Sequence, residues 1–192
     1  MLTSAVVNAT ATHDGRFEVR IEHTAALGHD VLTMSRDLLD LVFDGEMTDA
    51  DWDHSLGGMH AIAWEGDVLV GHSSVVQRRL VHDGVALRTG YVEGVGVHPA
   101  WQRQGVGGQM MAALEQIINV AYDLGALGAT DEAVQLYEQR GWRKWLGPTS
   151  ALTPTGIVRT TDEDGFIYVL PGSHPLDLRG ELTCDWRDGD VW

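Results

Sequence analysis

The segment Gln102-Arg103-Gln104-Gly105-Val106-Gly107 sits between a β-like run ending at Val97 and a long amphipathic run, and its composition suits a phosphate. Glycines let the backbone turn tightly and approach a ligand, and the free N–H groups and positive dipole end of a following helix attract a pyrophosphate. It is neither a Walker loop, because no Gly-Lys-Ser/Thr follows, nor a dinucleotide fingerprint, because the glycine spacing differs. A second chemistry is carboxylate. From Asp30 to His54 eight acids (Asp30, Asp37, Asp40, Asp44, Glu46, Asp49, Asp51, Asp53) face one base, Arg36. A solvated helical face reads this way, and so does a cleft for a cation. Glu93 stands in the apolar run Tyr91–Val97; Tyr91, Glu93, Val95 and Val97 would share one face of a regular strand, where an acid is either exposed or deliberately placed. No serine or cysteine lies in a nucleophile motif, so no covalent enzyme intermediate is expected. The histidines have no metal-binding spacing, so no metal is expected.

These residues must be positioned by a folded core. The chain of 192 residues is 44% apolar and 21% charged, the composition of a globular protein and enough for one domain. Its formal net charge is -15, and Lys144 is its single lysine. Such a surface repels nucleic acid and concentrates cations, so the expected partner is positively charged. Cys184 is alone, no apolar stretch nears the roughly 20 residues of a membrane span, and no signal-peptide layout opens the chain. A cytoplasmic protein is expected. Residues 1–15 read as a loose arm and 16–192 as a single domain.

Alternation of Phe17, Val19 and Ile21 predicts a strand, and the apolar spacing from His29 to Phe43 predicts a helix ending near Gly45. A short helix capped by Thr48 or Asp49 would run through Leu56. The runs Met59–Trp64, Val68–Val81 and Val85–Val97, joined by Glu65-Gly66-Asp67 and Asp83-Gly84, predict an antiparallel meander. A long helix over Gly105–Leu124, a strand near Ala126–Gly128 and a helix over Asp131–Arg140 follow. The proline-containing remainder reads as loops with strands at Phe166–Leu170 and Glu181–Asp185.

Val97-x-Pro99 followed by Gln-x-x-Gly-x-Gly resembles the acyl-CoA signature of the GNAT acetyltransferase superfamily, and Leu136-Tyr137 with Gly141-Trp142 resembles its thioester-flanking helix. The resemblance narrows at Asp51–Ala61, Val76–Leu80, Gly90–Val95, Gly147–Ser150 and the ending Cys184-Asp185-Trp186-Arg187-Asp188-Gly189-Asp190-Val191-Trp192. These stretches are similar to aminoglycoside 2'-N-acetyltransferases of actinobacterial type, over about residue 17 to the last residue. The Asp-Gly-Asp-x-Trp ending is the most specific of them, having no general structural reason to recur.

The resemblance implies an α/β (α+β) GNAT fold: a mixed, mostly antiparallel sheet with helices on both faces, splayed around an acyl-CoA cleft. It implies acetyl-CoA as cosubstrate, an aminoglycoside as acceptor and a homodimer. Val95, Gly96 and Val97 would pair with pantetheine like an added strand, the Val95 N–H polarising the thioester carbonyl, and Gln102, Arg103, Gln104, Gly105, Val106 and Gly107 would hold the pyrophosphate. Glu93 would take a proton through a water, or else be a strand-end acid facing solvent or paired with an arginine. The Trp192 carboxylate is the second base candidate. Tyr137 would be the acid for the leaving thiolate, or else a half-buried side chain of its helix. Substrate contacts would fall to Glu46, Asp51, Glu93, Gly94, Gly128, Asp162, Glu163, Asp190 and Trp192. Glu46 and Glu163 are longer than the aspartates expected there, and Gly128 replaces a small hydroxyl residue, which bears on drug spectrum. Arg78 and Arg79 read as exposed strand-end residues. The alternatives are a GNAT enzyme for another cationic amine, such as a polyamine or cell-envelope amino sugar, and an acyl-CoA-binding module without an acceptor.

Overall fold

The computed structural model describes residues 17–192; the arm expected at 1–15 lies outside the described residues. β1 (Glu18–His23), β2 (Met59–Glu65), β3 (Val68–His82) and β4 (Val85–Val97) are antiparallel neighbours in chain order. β5 (Leu124–Gly128) joins β4 in parallel, and β9 (Ile167–Pro171) and β6 (Arg143–Lys144) extend that side. On the other side, β10 (Leu182–Cys184) pairs with the end of β3 beyond the reach of β2, followed by β7 (Thr149–Thr153) and β8 (Gly156–Arg159). Ten strands form one sheet, antiparallel except at β4–β5 and β10–β7, as the mixed, mostly antiparallel expectation required.

Alternation along β2 shows why both faces carry helices. Ala61 and Ala63 pack into the cluster under α3 (Val106–Ala121), and Ile62 between them packs with α1 (His29–Val42). α3 turns Met110, Met111, Leu114 and Ile118 to the sheet, all fully buried; each such burial stabilises by about 1.5–3 kcal/mol. Its close approach needs Gly71, where a Cβ would stand 2.9 Å from Met110 Sδ. A second cluster, built from β3–β5, β7, β9 and β10, buries Tyr91, Trp145 and Trp192.

Several expectations are corrected. α3 ends at Ala121, not Leu124: Tyr122 turns extended, and Asp123 exchanges hydrogen bonds with Arg88 (Asp123 N–H to Arg88 C=O 2.8 Å, Arg88 N–H to Asp123 Oδ2 2.8 Å), feeding the chain into β5. The helix expected over 131–140 is only α4 (Val134–Gln139), entered through a turn in which Ala133 N–H donates to Thr130 C=O. The short helix is α2 (Asp49–His54), capped by Thr48, with Asp51 closing a reciprocal capping box. The segment read as loops holds β6 and the β7–β8 hairpin as well.

The expected alternation from Tyr91 to Val97 also fails. Ser74 pairs with Glu93 but His72 pairs with Gly96, so β4 carries one extra residue at Gly94–Val95. This bulge takes Gly94 to φ +54° and sends Val95 and Val97 to the α3 side, whereas Tyr91 belongs to the opposite cluster. β4–β5 pairing stops at Tyr91–Ala126, so the β4 edge from Val92 onward is released from β5.

Gly94→Ala should cost about 1–3 kcal/mol. The left-handed backbone costs an L-residue about 1–2 kcal/mol, and a Cβ would meet Ser55 Oγ at 2.8 Å and Leu39 Cδ1 at 3.1 Å. Gly108→Ala, inside α3 with its nearest neighbour Arg140 Nη1 at 3.8 Å, should be neutral or stabilise by up to about 1 kcal/mol. Urea unfolding compares them; equal losses would show that the bulge does not demand glycine.

Candidate active site

The released edge of β4 opens onto a cavity of about 530 Å³, walled by Val92–Val95, the end of β5 at Leu127–Gly128, the turn over 129–133, Tyr137 and Glu163. A second cavity of about 210 Å³ adjoins it, formed by Phe43, Glu46, Met47, Asp51, His54 and Arg187. Glu93, Gly94, Asp190 and Trp192 line both, so the two are lobes of one cleft meeting at the bulge.

At one end of the unpaired edge, Gly105 caps α3 in the left-handed conformation, φ +88°. The first bond of the helix is made by Gln109 N–H to Gly105 C=O, which leaves the N–H groups of Val106, Gly107 and Gly108 without helical acceptors. The Gln102 and Gln104 side chains donate to Val97 C=O (3.1 Å) and Ala100 C=O (2.8 Å). They hold the loop, and what faces outward is backbone N–H and the exposed Arg103. Gly96 and Val97 continue the edge between this turn and the cavities, Gly96 with its Cα against Leu39 and Val42 of α1. A free strand edge leading to a helix N-terminus fits an extended amide chain ending in a pyrophosphate.

Tyr137 lines the larger lobe and is 4% exposed. Burial pushes its hydroxyl up to about 12, so it holds its proton throughout the neutral range. Glu93 is half-buried, and this loss of solvent raises its carboxyl above the ordinary value against the opposing pull of Arg187, whose Nη1 donates to Glu93 Oε1. The same guanidinium donates from Nη2 to the Trp192 carbonyl and from Nε to Asp190 C=O (2.8 Å). Arg187 thus holds together three of the groups singled out in the sequence.

The ending reaches the cleft because it is fastened residue by residue. Arg78, expected to be exposed, is 5% exposed: its Nε donates to Asp185 Oδ1 (2.8 Å) and its Nη2 to Asp185 C=O (2.9 Å) and Val191 C=O (2.7 Å). Arg79 alone points outward. Trp192 N–H donates to Asp190 Oδ1 (3.0 Å) and its indole to Thr160 Oγ1 (2.8 Å). Gly189 takes φ +78°, and a Cβ there would stand 2.7 Å from Ala50 Cβ of α2. The Asp-Gly-Asp-x-Trp ending forms a tight turn against α2 that presents Asp190 to both lobes.

The acids expected to meet a substrate separate. Glu46 and Asp51 line the smaller lobe, Asp51 while also serving the α2 capping box. Glu163 lines the larger lobe, its carboxyl raised by burial and then by Asp190 and Asp162. Asp162 itself is exposed and lines neither lobe. Gly128 lies at the cleft beside Tyr91, whose buried hydroxyl finds no partner among the described residues; a Cβ at 128 would be 3.9 Å from it. Sequence reasoning missed Arg78 and Arg187. Arg187 had a usable signal, being a lone base among Asp185, Asp188 and Asp190. Among the described residues no group of three or more metal-ligating side chains gathers.

Residues 27–145 match the model of the acetyltransferase (GNAT) domain. The chain is 47% identical over 177 residues to an aminoglycoside 2'-N-acetyltransferase of Mycolicibacterium fortuitum, covering 90% of this chain and 91% of that protein. Among solved structures, Escherichia coli ElaA matches with a TM-score of 0.59 at 21% identity, over 81% of this chain and 99% of its own. An acyl-CoA N-acyltransferase from Pseudomonas aeruginosa matches with 0.58 at 16% identity, over the same shares. The structural likenesses carry the fold and the sequence match carries the family: the chain belongs to the GNAT acetyltransferases, in the family of the aminoglycoside 2'-N-acetyltransferases.

Proposed function

We propose that this protein acetylates the 2'-amino group of aminoglycosides with acetyl-CoA, inactivating them as antibiotics. The observation that carries the reading is the meeting of the two lobes at Glu93: one bounded by a free strand edge and a protonated phenol, the other by Glu46, Asp51 and Asp190. An acceptor with several ammonium groups suits the acidic lobe, and an extended thioester suits the edge. Bound acetyl-CoA supplies the acetyl group, carried on sulfur.

The chain's own residues then divide the work. The acidic lobe holds ammonium groups and orients one uncharged amine toward the bulge. The Val95 N–H polarises the acyl carbonyl. The amine nitrogen forms the new C–N bond, Glu93 takes the proton it sheds through a water, the C–S bond breaks and Tyr137 donates its proton to the departing sulfur. Burial that raises the phenol also raises a sulfur beside it, so the two remain matched for transfer. The oxygen at the carboxyl end of Trp192, held by Arg187, joins Asp190 in receiving substrate cations. The reading includes a homodimer, supported by the exposed Leu152, Ile157 and Val158 of the β7–β8 hairpin, and a cytoplasmic setting where acetyl-CoA is made; among the described residues no helix is long and apolar enough to cross a membrane.

Acetyl-CoA turnover, followed by thiol release, should occur with aminoglycosides bearing a 2'-amine and be absent from their 2'-hydroxyl counterparts. Equal turnover of both would refute the regiospecificity. Tyr137→Phe should lower kcat by about a hundredfold or more, since a positioned general acid contributes about 10²–10⁴-fold, while acetyl-CoA affinity stays within about threefold. Unchanged single-turnover rates would remove Tyr137 as the acid.

Because the Glu93 carboxyl lies above its ordinary value, its base form is present at high pH and lost as pH falls through that raised value. kcat/KM should therefore decline on the acid side at a higher pH than an ordinary glutamate gives, and Glu93→Gln should abolish that limb. Arg187→Leu removes the cation that favours the charged carboxylate, so it should move the limb to still higher pH. A limb that stays in place in Arg187→Leu would assign it to another group.

A further inference from the structure

The bulge rests on a buried chain of hydrogen bonds that the reaction scheme leaves unused. His72 Nδ1 lies 2.8 Å from Gly94 C=O, His72 Nε2 lies 2.9 Å from His60 Nδ1, and His60 Nε2 lies 2.7 Å from Thr24 Oγ1, which accepts from Gly57 N–H at 2.8 Å. Both imidazoles are 0% exposed. Burial holds both neutral, His60 down at about 3 and His72 at about 4.

The end of the chain determines every proton in it. A carbonyl only accepts, so His72 carries its proton on Nδ1. A neutral His72 then has a lone pair on Nε2, which accepts from His60 Nδ1–H. Neutral His60 in turn accepts at Nε2 from the Thr24 hydroxyl, for which the Gly58 carbonyl at 3.2 Å is the more distant acceptor. Four donors point the same way, from Gly57 to the Gly94 carbonyl.

That carbonyl belongs to the peptide whose N–H is Val95. His72 is on β3, one neighbour of β4; β5 is the other. In a trans peptide the C=O and the N–H point to opposite sides. Drawing the Gly94 C=O toward β3 turns the Val95 N–H toward the gap between β4 and β5, where the larger lobe opens and Tyr137 lies. At a glycine with φ +54° inside a bulge, the strand ladder does not determine this orientation, and a peptide flip needs little rearrangement. We propose that the Thr24–His60–His72 chain is a positioning device: by fixing the Gly94–Val95 peptide it aims the Val95 N–H at the acyl carbonyl of the bound thioester. The proposal rests on the reading of the larger lobe as the thioester site.

The test compares wild type with His72→Leu, which removes the donor, and His72→Asn, whose side-chain N–H lies at a similar distance from the backbone as Nδ1. The direct readout is the infrared carbonyl frequency of acetyl-CoA labelled with carbon-13 at the acetyl carbonyl. Wild type should lower this frequency from its value in water, His72→Leu should lose the lowering, and His72→Asn should restore most of it. In turnover of a 2'-amino aminoglycoside, kcat should fall about tenfold or more in His72→Leu, since losing such a donor outright costs about 10²–10³-fold. Acetyl-CoA affinity should remain within about threefold. His72→Leu that binds acetyl-CoA, melts cooperatively and keeps the wild-type frequency overturns the proposal. Wild type that leaves the frequency at its value in water overturns the thioester-site reading instead. Nitrogen-15 spectra of the wild-type histidines, without acetyl-CoA, give an independent check: both rings should be neutral with the proton on Nδ1. A proton on His72 Nε2 overturns the proposal even where His72→Leu does not fold.

Discussion

A sheet whose strands all stay paired has no room in its plane for a ligand, and β4 resolves this by carrying one residue more than its partner. The extra residue at Gly94–Val95 has two effects. It frees the far edge of β4 from β5 beyond Tyr91, creating an unpaired row of backbone groups that leads toward the N-terminus of α3. It also leaves Glu93, Gly94 and Val95 lining the cleft while Val95 and Val97 pack toward the α3 cluster. The two lobes of the cleft meet at this point because the bulge is where the sheet opens.

Charge is the second constraint. With a formal net charge of -15 the chain would repel itself at any point where acids gather, and the cleft gathers several. Two arginines answer this locally. Arg78 lies 4.7 Å from the Tyr91 ring centroid and Arg187 lies 5.5 Å from it, so one aromatic side chain serves both cations. Arg78 ties the final residues to β3, and Arg187 ties them to Glu93. Among the described residues Glu46, Asp51 and Glu163 form no ion pair with an arginine, and they leave the cleft lining acidic.

Much of this was legible in the linear sequence where the signal is local. The β2–β4 meander, α1 and the Gly105 turn follow from two-residue and 3.6-residue periodicity and from turn chemistry, and they appear where expected. The β7–β8 hairpin was hidden among prolines and short polar stretches, and its strands exist because β10 offers an edge for β7 to join. The end of α3 was also invisible locally, since it depends on Asp123 finding Arg88 on a neighbouring strand.

The site divides the same way. Residue types and spacing alone determined that this chain carries a glycine turn opening a long helix, a large excess of acids and no nucleophile motif, since each is a property of neighbours in sequence or of composition. The tertiary structure decided which acids line the cleft. Asp162 and Glu163 are adjacent in the chain, yet one faces solvent and the other the cleft. It also decided that Glu93 meets Arg187 and that His72 meets Gly94, pairs separated by 94 and 22 residues. Side-chain hydrogen bonds act over about 3 Å whatever the chain distance, so partners this far apart become visible only once strands and the final turn have brought them together.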